Sequence, residues 1–132
     1  MAILLLIHSH LRWVIFIVAL SAIIKFALGW LRGGTFQGID RRLTSGFSGL
    51  IDLQVTLGIL YFVWDGIART GFPLFRIEHA VAMSIAAFVG HLPARWKNAD
   101  DKTRFRNSLF VVIDVLIIIF IGVAFLPGGW SK

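Results

Sequence analysis

The sequence predicts an all-α integral membrane protein, an antiparallel four-helix bundle with both termini on the non-cytoplasmic side. Three observations carry that expectation. Four apolar stretches, over residues 2–31, 47–63, 72–92 and 109–126, each approach or exceed the ~20 residues that cross a ~30 Å hydrocarbon core as helix. The chain is 58% apolar and only 15% charged, with a mean hydropathy of +0.83, more than a soluble domain of its size covers with polar surface. The positive charges gather in two of the three connections between the apolar runs.

The first run has no basic segment before it, is far longer than the apolar region of a signal peptide, and reaches Lys25 without a small-x-small cleavage site, so it reads as a retained span. The second run is the shortest, with Thr44 or Ser45 placed to cap it. Pro73 suits the first turn of the third helix, and Pro93 and Pro127 fall where the third and fourth helices should stop. Backbone in lipid satisfies its own hydrogen bonds, and none of the runs alternates polar with apolar, so helices are expected rather than strands. The connections are short, which favours an up-down arrangement of one domain over 1–132. Gly29, Gly46, Gly49, Gly58, Gly90 and Gly122 offer places for close helix approach.

Orientation follows from the connections. Arg32, Arg41, Arg42, Arg95, Lys97, Lys102, Arg104 and Arg106 lie on one side and only Arg69, Arg76 and Lys132 on the other. The richer side is expected to be cytoplasmic. Trp30 and Trp96 then mark the inner interface, and Trp64 and Trp130 the outer one. The run 97–106 reads as a solvated cytoplasmic loop whose net basic charge can meet anionic headgroups.

Several function classes drop out. The formal charge of +6 sits in short segments rather than on one face, which argues against nucleic acid as a partner. With no cysteine in the chain, disulfides, thiol catalysis, iron–sulfur clusters and covalent haem attachment are excluded. There is no glycine-rich phosphate loop and no paired-carboxylate or Ser/His/Asp pattern of a hydrolase, so an electron carrier or complex subunit is expected rather than an enzyme.

Ionisable groups inside a span are costly and each needs an account. His8 lies about six residues into the first helix and His79 about six residues into the third, so both sit roughly 9 Å below the same end of the bundle. Two neutral imidazoles facing each other in one layer are what axial ligation of a single b-type haem requires. His8 and His10 are separated by roughly 200° around the helix, so only one faces the centre, and periodicity alone does not choose between them. Met83 shares the face of His79 and reads as packing. The step from His79 to His91 is 12 residues, about 120° away from the alignment that a second haem on the same helix needs, so one haem at most is expected. His91 itself reads as an interfacial side chain.

Asp52 and Asp114 fall inside the far ends of the second and fourth helices, and Lys25 approaches the same layer from the first. They read either as an inter-helix ion pair that sets register or as a proton or quinone-headgroup site. Arg12, one turn below His8, has a haem propionate, Glu78 or a backbone carbonyl as candidate partners. Gln54 is placed to hydrogen-bond across the bundle.

The run His8-Ser9-His10-Leu11-Arg12-Trp13 resembles the His-Ser-Gly-Leu-Arg-Trp opening of small bacterial four-helix membrane proteins labelled cytochrome b-like. The stretch Leu53-Gln54-Val55-Thr56-Leu57-Gly58-Ile59-Leu60-Tyr61-Phe62 is similar to their Leu-Gln…Gly…Leu-Tyr-Phe second helix, and Glu78-His79 to their Glu-His-Pro start of helix three. The likeness touches three of the four helices. It implies a site of His8, Arg12, Gln54, Glu78 and His79, and favours His8 over His10 because His10 stands where that family has glycine. Ala80 replaces the proline of the pattern.

These readings lead to a functional expectation: a haem-b-binding or haem-b-derived electron-transfer protein of the bacterial plasma membrane, within a larger complex, exchanging electrons with quinol or a periplasmic carrier. Two alternatives stand beside it. One is a cofactor-free accessory subunit of a respiratory or photosynthetic complex. The other is copper handling by His8, His10, His79 and Met83.

Overall fold

The computed structural model describes residues 2–96, 98–124 and 126. Lys97, Pro127, Trp130 and Lys132, named above as interface or boundary residues, lie outside the described residues. The described residues form four long helices and no strand: α1 (Ala2–Arg32), α2 (Gly38–Asp65), α3 (Leu74–Gly90) and α4 (Asp101–Ala124). Four helical stretches are long and apolar enough to cross a membrane, the third of them running from Leu74 through the segment after α3 to Trp96.

Two helices start earlier than expected, for the same reason. The apolar run of α2 opens at Phe47, yet the helix begins at Gly38. Its cap is neither Thr44 nor Ser45. Asp40, three residues after Gln37, turns back to accept the Gln37 backbone N–H at 2.9 Å, which satisfies a donor the first turn would leave bare. Thr44 instead donates to the Arg41 carbonyl. Likewise α4 begins at Asp101 rather than 109, because Asp100 accepts the Thr103 backbone N–H at 2.9 Å and so caps a helix through what reads as solvated loop. At the other extreme α3 is only 17 residues, about 25 Å. Pro73 is its cap residue, in extended backbone, and a 3-10 segment, Leu92–Trp96, carries the chain onward past Gly90. A π-helical turn, Gly66–Thr70, continues α2.

The helices pack in the cyclic order α1, α2, α3, α4 and back to α1. In α1 the buried residues Ile15, Ala19, Ala22 and Phe26 recur at steps of four and three, the period at which one stripe of a helix faces its neighbours. They meet Phe47 and Ile51 of α2, Ala86 of α3, and Phe105, Leu109, Val112, Val115, Ile119 and Val123 of α4. The small residues Ala19, Ala22 and Ala86 are fully covered and let backbones approach, the usual device where lipid supplies no hydrophobic drive between helices.

Call the end where α1 begins the head of the bundle. At its opposite end, the far end, aromatic rings and ion pairs tie the helices together. Phe36 stacks on Phe26 at 6.2 Å and meets Phe105 at 5.0 Å, while the Arg104 guanidinium lies 4.0 Å from the Phe36 ring centre. Gly29 is required here, because a Cβ at that position would stand 2.5 Å from the Phe105 ring. Lys25 is paired at 2.8 Å with Asp40, not with Asp52 or Asp114. The capping geometry explains the choice, since it holds Asp40 wholly buried under α1.

Candidate functional site

A cavity opens between the helices in the head half of the bundle, where His8 of α1 and His79 of α3 both line a space of about 240 Å³. A second space of about 350 Å³ adjoins it, sharing Leu5, His8, Gln54, Val55, Met83 and Leu126 as wall. Apart from His8, Arg12, Gln54, Arg76 and His79, the walls are almost entirely apolar.

Each histidine is held by a local feature of the sequence. The His8 ring lies on Gly58 of α2, where a Cβ would stand 3.0 Å from its Cε1. Gln54, one turn earlier on α2, donates its Nε2–H to the His8 carbonyl at 2.7 Å. That bond pins the α1 backbone beside the cavity. The ring Nδ1 of His8 and the Oε1 of Gln54 are buried with no hydrogen-bond partner among the described residues, an expensive arrangement for polar atoms.

The His79 ring is oriented by the end of α4. Its Nδ1 lies 2.8 Å from the Gly122 carbonyl, and a carbonyl only accepts, so Nδ1 carries the proton and Nε2 keeps its lone pair. Gly122 is one of the last carbonyls of α4 and has no regular helical donor. The N–H of Leu126, which would ordinarily reach it, bonds to Val123 instead at 3.0 Å. The absence of a side chain at Gly122 matters as well, because a Cβ there would meet Ala82 and Met83 of α3.

The structure brings His8, His79, Arg12 and Gln54 to the walls of these two spaces, with Arg12 in the larger one. His10 is exposed, and its Nδ1 bonds to the Leu6 carbonyl of its own helix. Glu78 is half-buried and lines neither space. Met83 lines both. Among the described residues no three His, Cys, Asp or Glu side chains converge as a metal-binding group.

Arg76 is a cavity residue that a reading of charge alone overlooks. It lines the smaller space, is ion-paired with buried Asp65, and stands 5.9 Å from the Tyr61 ring centre. Its position three residues before His79, one helical turn, is the signal that would have found it. Tyr61 and Gly58, on the matching face of α2, belong to the same wall.

Toward the far end lies a separate polar crevice of about 370 Å³, lined by Asp52, His91, Arg41, Arg104 and several hydroxyls. His91 Nε2 is 2.7 Å from Asp52, and Ser48 donates to the Gly90 carbonyl beside it. Thus Asp52 pairs with His91 rather than with Lys25. Asp114 is exposed on α4.

No protein-family model, curated protein or solved structure matches this chain.

Proposed function

We propose that the protein is a haem-b-binding electron-transfer protein of the bacterial plasma membrane. In this reading it is an antiparallel bundle with both termini outside, working within a larger membrane complex and exchanging electrons with quinol or a periplasmic carrier. One observation carries the proposal: His8 and His79 share one apolar-walled cavity between helices, and the proton on His79 Nδ1 is committed to a backbone carbonyl. A neutral imidazole with one nitrogen anchored and the other bare is the form in which histidine binds a metal.

The residues fit the group. His8 and His79 would hold the iron, and the Nδ1 of His8, unsatisfied among the described residues, marks a ring whose polar atoms await a partner. The lack of a Cβ at Gly58 lets that ring lie directly against α2. Arg12 and Arg76, each lining one of the two spaces, the latter already paired with Asp65, would stand near carboxylate substituents as cations. Gly122 and Gln54 act as positioning residues, one setting the tautomer of His79 and the other the backbone of His8. Leu5, Val55, Phe75 and Met83 keep water out. When bound, the haem supplies one-electron redox chemistry at its iron. The orientation is supported by the collection of Arg41, Arg42, Lys102, Arg104 and Arg106 beyond the far ends of the apolar runs.

The test is an absorption spectrum of the purified protein, oxidised and dithionite-reduced, after expression with adequate haem. A Soret peak and a reduced α-band are expected, and His79→Ala should remove both. Protein that folds under those conditions and shows no Soret peak would refute the proposal.

A second reading is a cofactor-free accessory subunit of a respiratory or photosynthetic complex. It is favoured by the large exposed apolar side chains on every helix, such as Ile17, Leu60, Phe88 and Phe120. Migration with a large complex on native gels, and a colourless chain after dissociation, would select it.

A further inference from the structure

The polar crevice at the far end is separate from the histidine cavity, and unequal helix ends create it. Helices α2 and α4 begin at Gly38 and Asp101, each well before its apolar run. Helix α3 stops at Gly90, and the chain leaves it through the short segment Leu92–Trp96. A notch of about 370 Å³ remains between the two longer helices and that segment. Arg41 stands six residues before Phe47 and Arg104 five before Leu109, where the apolar runs of α2 and α4 open. At about 9 and 8 Å outside those runs, both are level with the polar headgroup layer that borders a ~30 Å hydrocarbon core.

The notch holds more donors than acceptors. Arg41 is exposed and its guanidinium has no ion pair among the described residues. The Arg104 guanidinium lies against the Phe36 ring, a contact with an aromatic face that leaves its N–H groups unspent. Asp52 is the only carboxylate in the described lining, and His91 Nε2 already stands 2.7 Å from it.

Ser108 points the same way. It is only 2% exposed, it lines the notch, and its hydroxyl makes no hydrogen bond among the described residues. Ser21, Thr56 and Ser84 each turn back to the carbonyl four residues earlier in their own helix, the usual partner of a hydroxyl within a helix. Ser108 does not, and a buried hydroxyl left bare is costly.

We propose that this notch binds the phosphate group of an anionic membrane phospholipid, with Arg41, Arg104 and Ser108 as its donors. Guanidinium N–H groups match phosphate oxygens two at a time. A merely basic surface attracts headgroups without a preferred place, whereas a recess with a buried, unpaired hydroxyl defines one. The inference rests on the membrane reading and is independent of haem.

Native mass spectrometry of the protein released from neutral detergent micelles tests it, with phosphatidylglycerol and phosphatidylcholine as probes. One phosphatidylglycerol per chain should stay bound, roughly tenfold more often than phosphatidylcholine. Arg41→Gln with Arg104→Gln should lower that retention about tenfold, and Ser108→Ala, which keeps the charge, about threefold. Arg42→Gln with Lys102→Gln removes the same charge outside the notch and should leave retention unchanged. Arg41→Gln alone, at an exposed position, preserves the comparison if loss of the Arg104 contact unfolds the chain. Inorganic phosphate as competitor separates the sources: displacement of the lipid extends the site to soluble phosphates, and persistence assigns it to lipid alone. Equal retention of the two lipids, or equal losses in the two double variants, would overturn the proposal.

Discussion

The two halves of the bundle treat their polar groups in opposite ways. At the far end polar side chains are joined to partners: Lys25 to Asp40, His91 to Asp52, Ser48 to the Gly90 carbonyl. Aromatic rings fill the spaces around them. At the head Arg76 is paired with Asp65, but His8 and Gln54 each keep a buried polar atom without a partner among the described residues, and both face open volume. Aromatic packing and the larger set of pairs therefore hold the helices in register chiefly from the far end, which allows the head to carry unsatisfied groups. Such groups are tolerated where a ligand is to be bound and where stability has been supplied elsewhere.

That contrast can be broken from either side, and the largest effect is expected at Gly58. Gly58→Leu puts a side chain where the His8 ring lies, displaces that ring and should lower haem occupancy at least tenfold, read from the Soret absorbance per chain. Helix content by circular dichroism should be unchanged. Full occupancy in the Gly58→Leu protein would separate the cavity from the proposed ligand.

Next in size is Asp40→Ala at the far end. It removes a fully buried carboxylate that both caps α2 and holds Lys25. Because the Lys25 side chain is 43% exposed, the loss should fall short of that for a fully buried pair, at about 2 kcal/mol. Denaturation in detergent micelles measures it, and the absorption spectrum of the surviving fold should be unaltered.

The pair of His91 and Asp52 is weaker still. With side chains 57% and 46% exposed, His91→Ala should cost about 0.5 kcal/mol in the same assay. A loss as large as that of Asp40→Ala would mean that the polar crevice is structural to a degree its exposure does not suggest.

The smallest effect belongs to Asp100, which is fully exposed. The Thr103 hydroxyl and then its backbone N–H donate to the carboxylate and hold its pKa below the ordinary carboxylate range. A depressed folded pKa means that the cap contributes above the ordinary range and is lost as pH falls through the folded value. Asp100→Ala should speed amide exchange at Thr103 near neutral pH, and the difference from the parent should vanish in strong acid.

The four spans were legible because lipid demands long unbroken apolar runs, and nothing else in the chain imitates them. Their ends were not. Asp40 and Asp100 cap helices from within polar segments, where composition alone reads loop, and the partner of Lys25 lies fifteen residues away, off any helical period. Within the site, the depths of His8 and His79 follow from counting, but the rotation of α1 that turns His8 inward and leaves His10 exposed is set by contact with Gly58 and Gln54. Arg76 was hidden by its sign. As a cation near a span boundary it counts toward orientation before it suggests a wall of a cavity.

The tightened last turn of α4 couples chain geometry to imidazole chemistry. Were the helix to wind regularly for one more residue, the Leu126 amide would reclaim the Gly122 oxygen, and His79 would be released to rotate or to shift its proton to the other nitrogen. Whatever lengthens or frays that C-terminal turn, whether a neighbouring protein or a lipid, thereby gains a handle on the electron-donating power of a ring two helices from the chain's beginning.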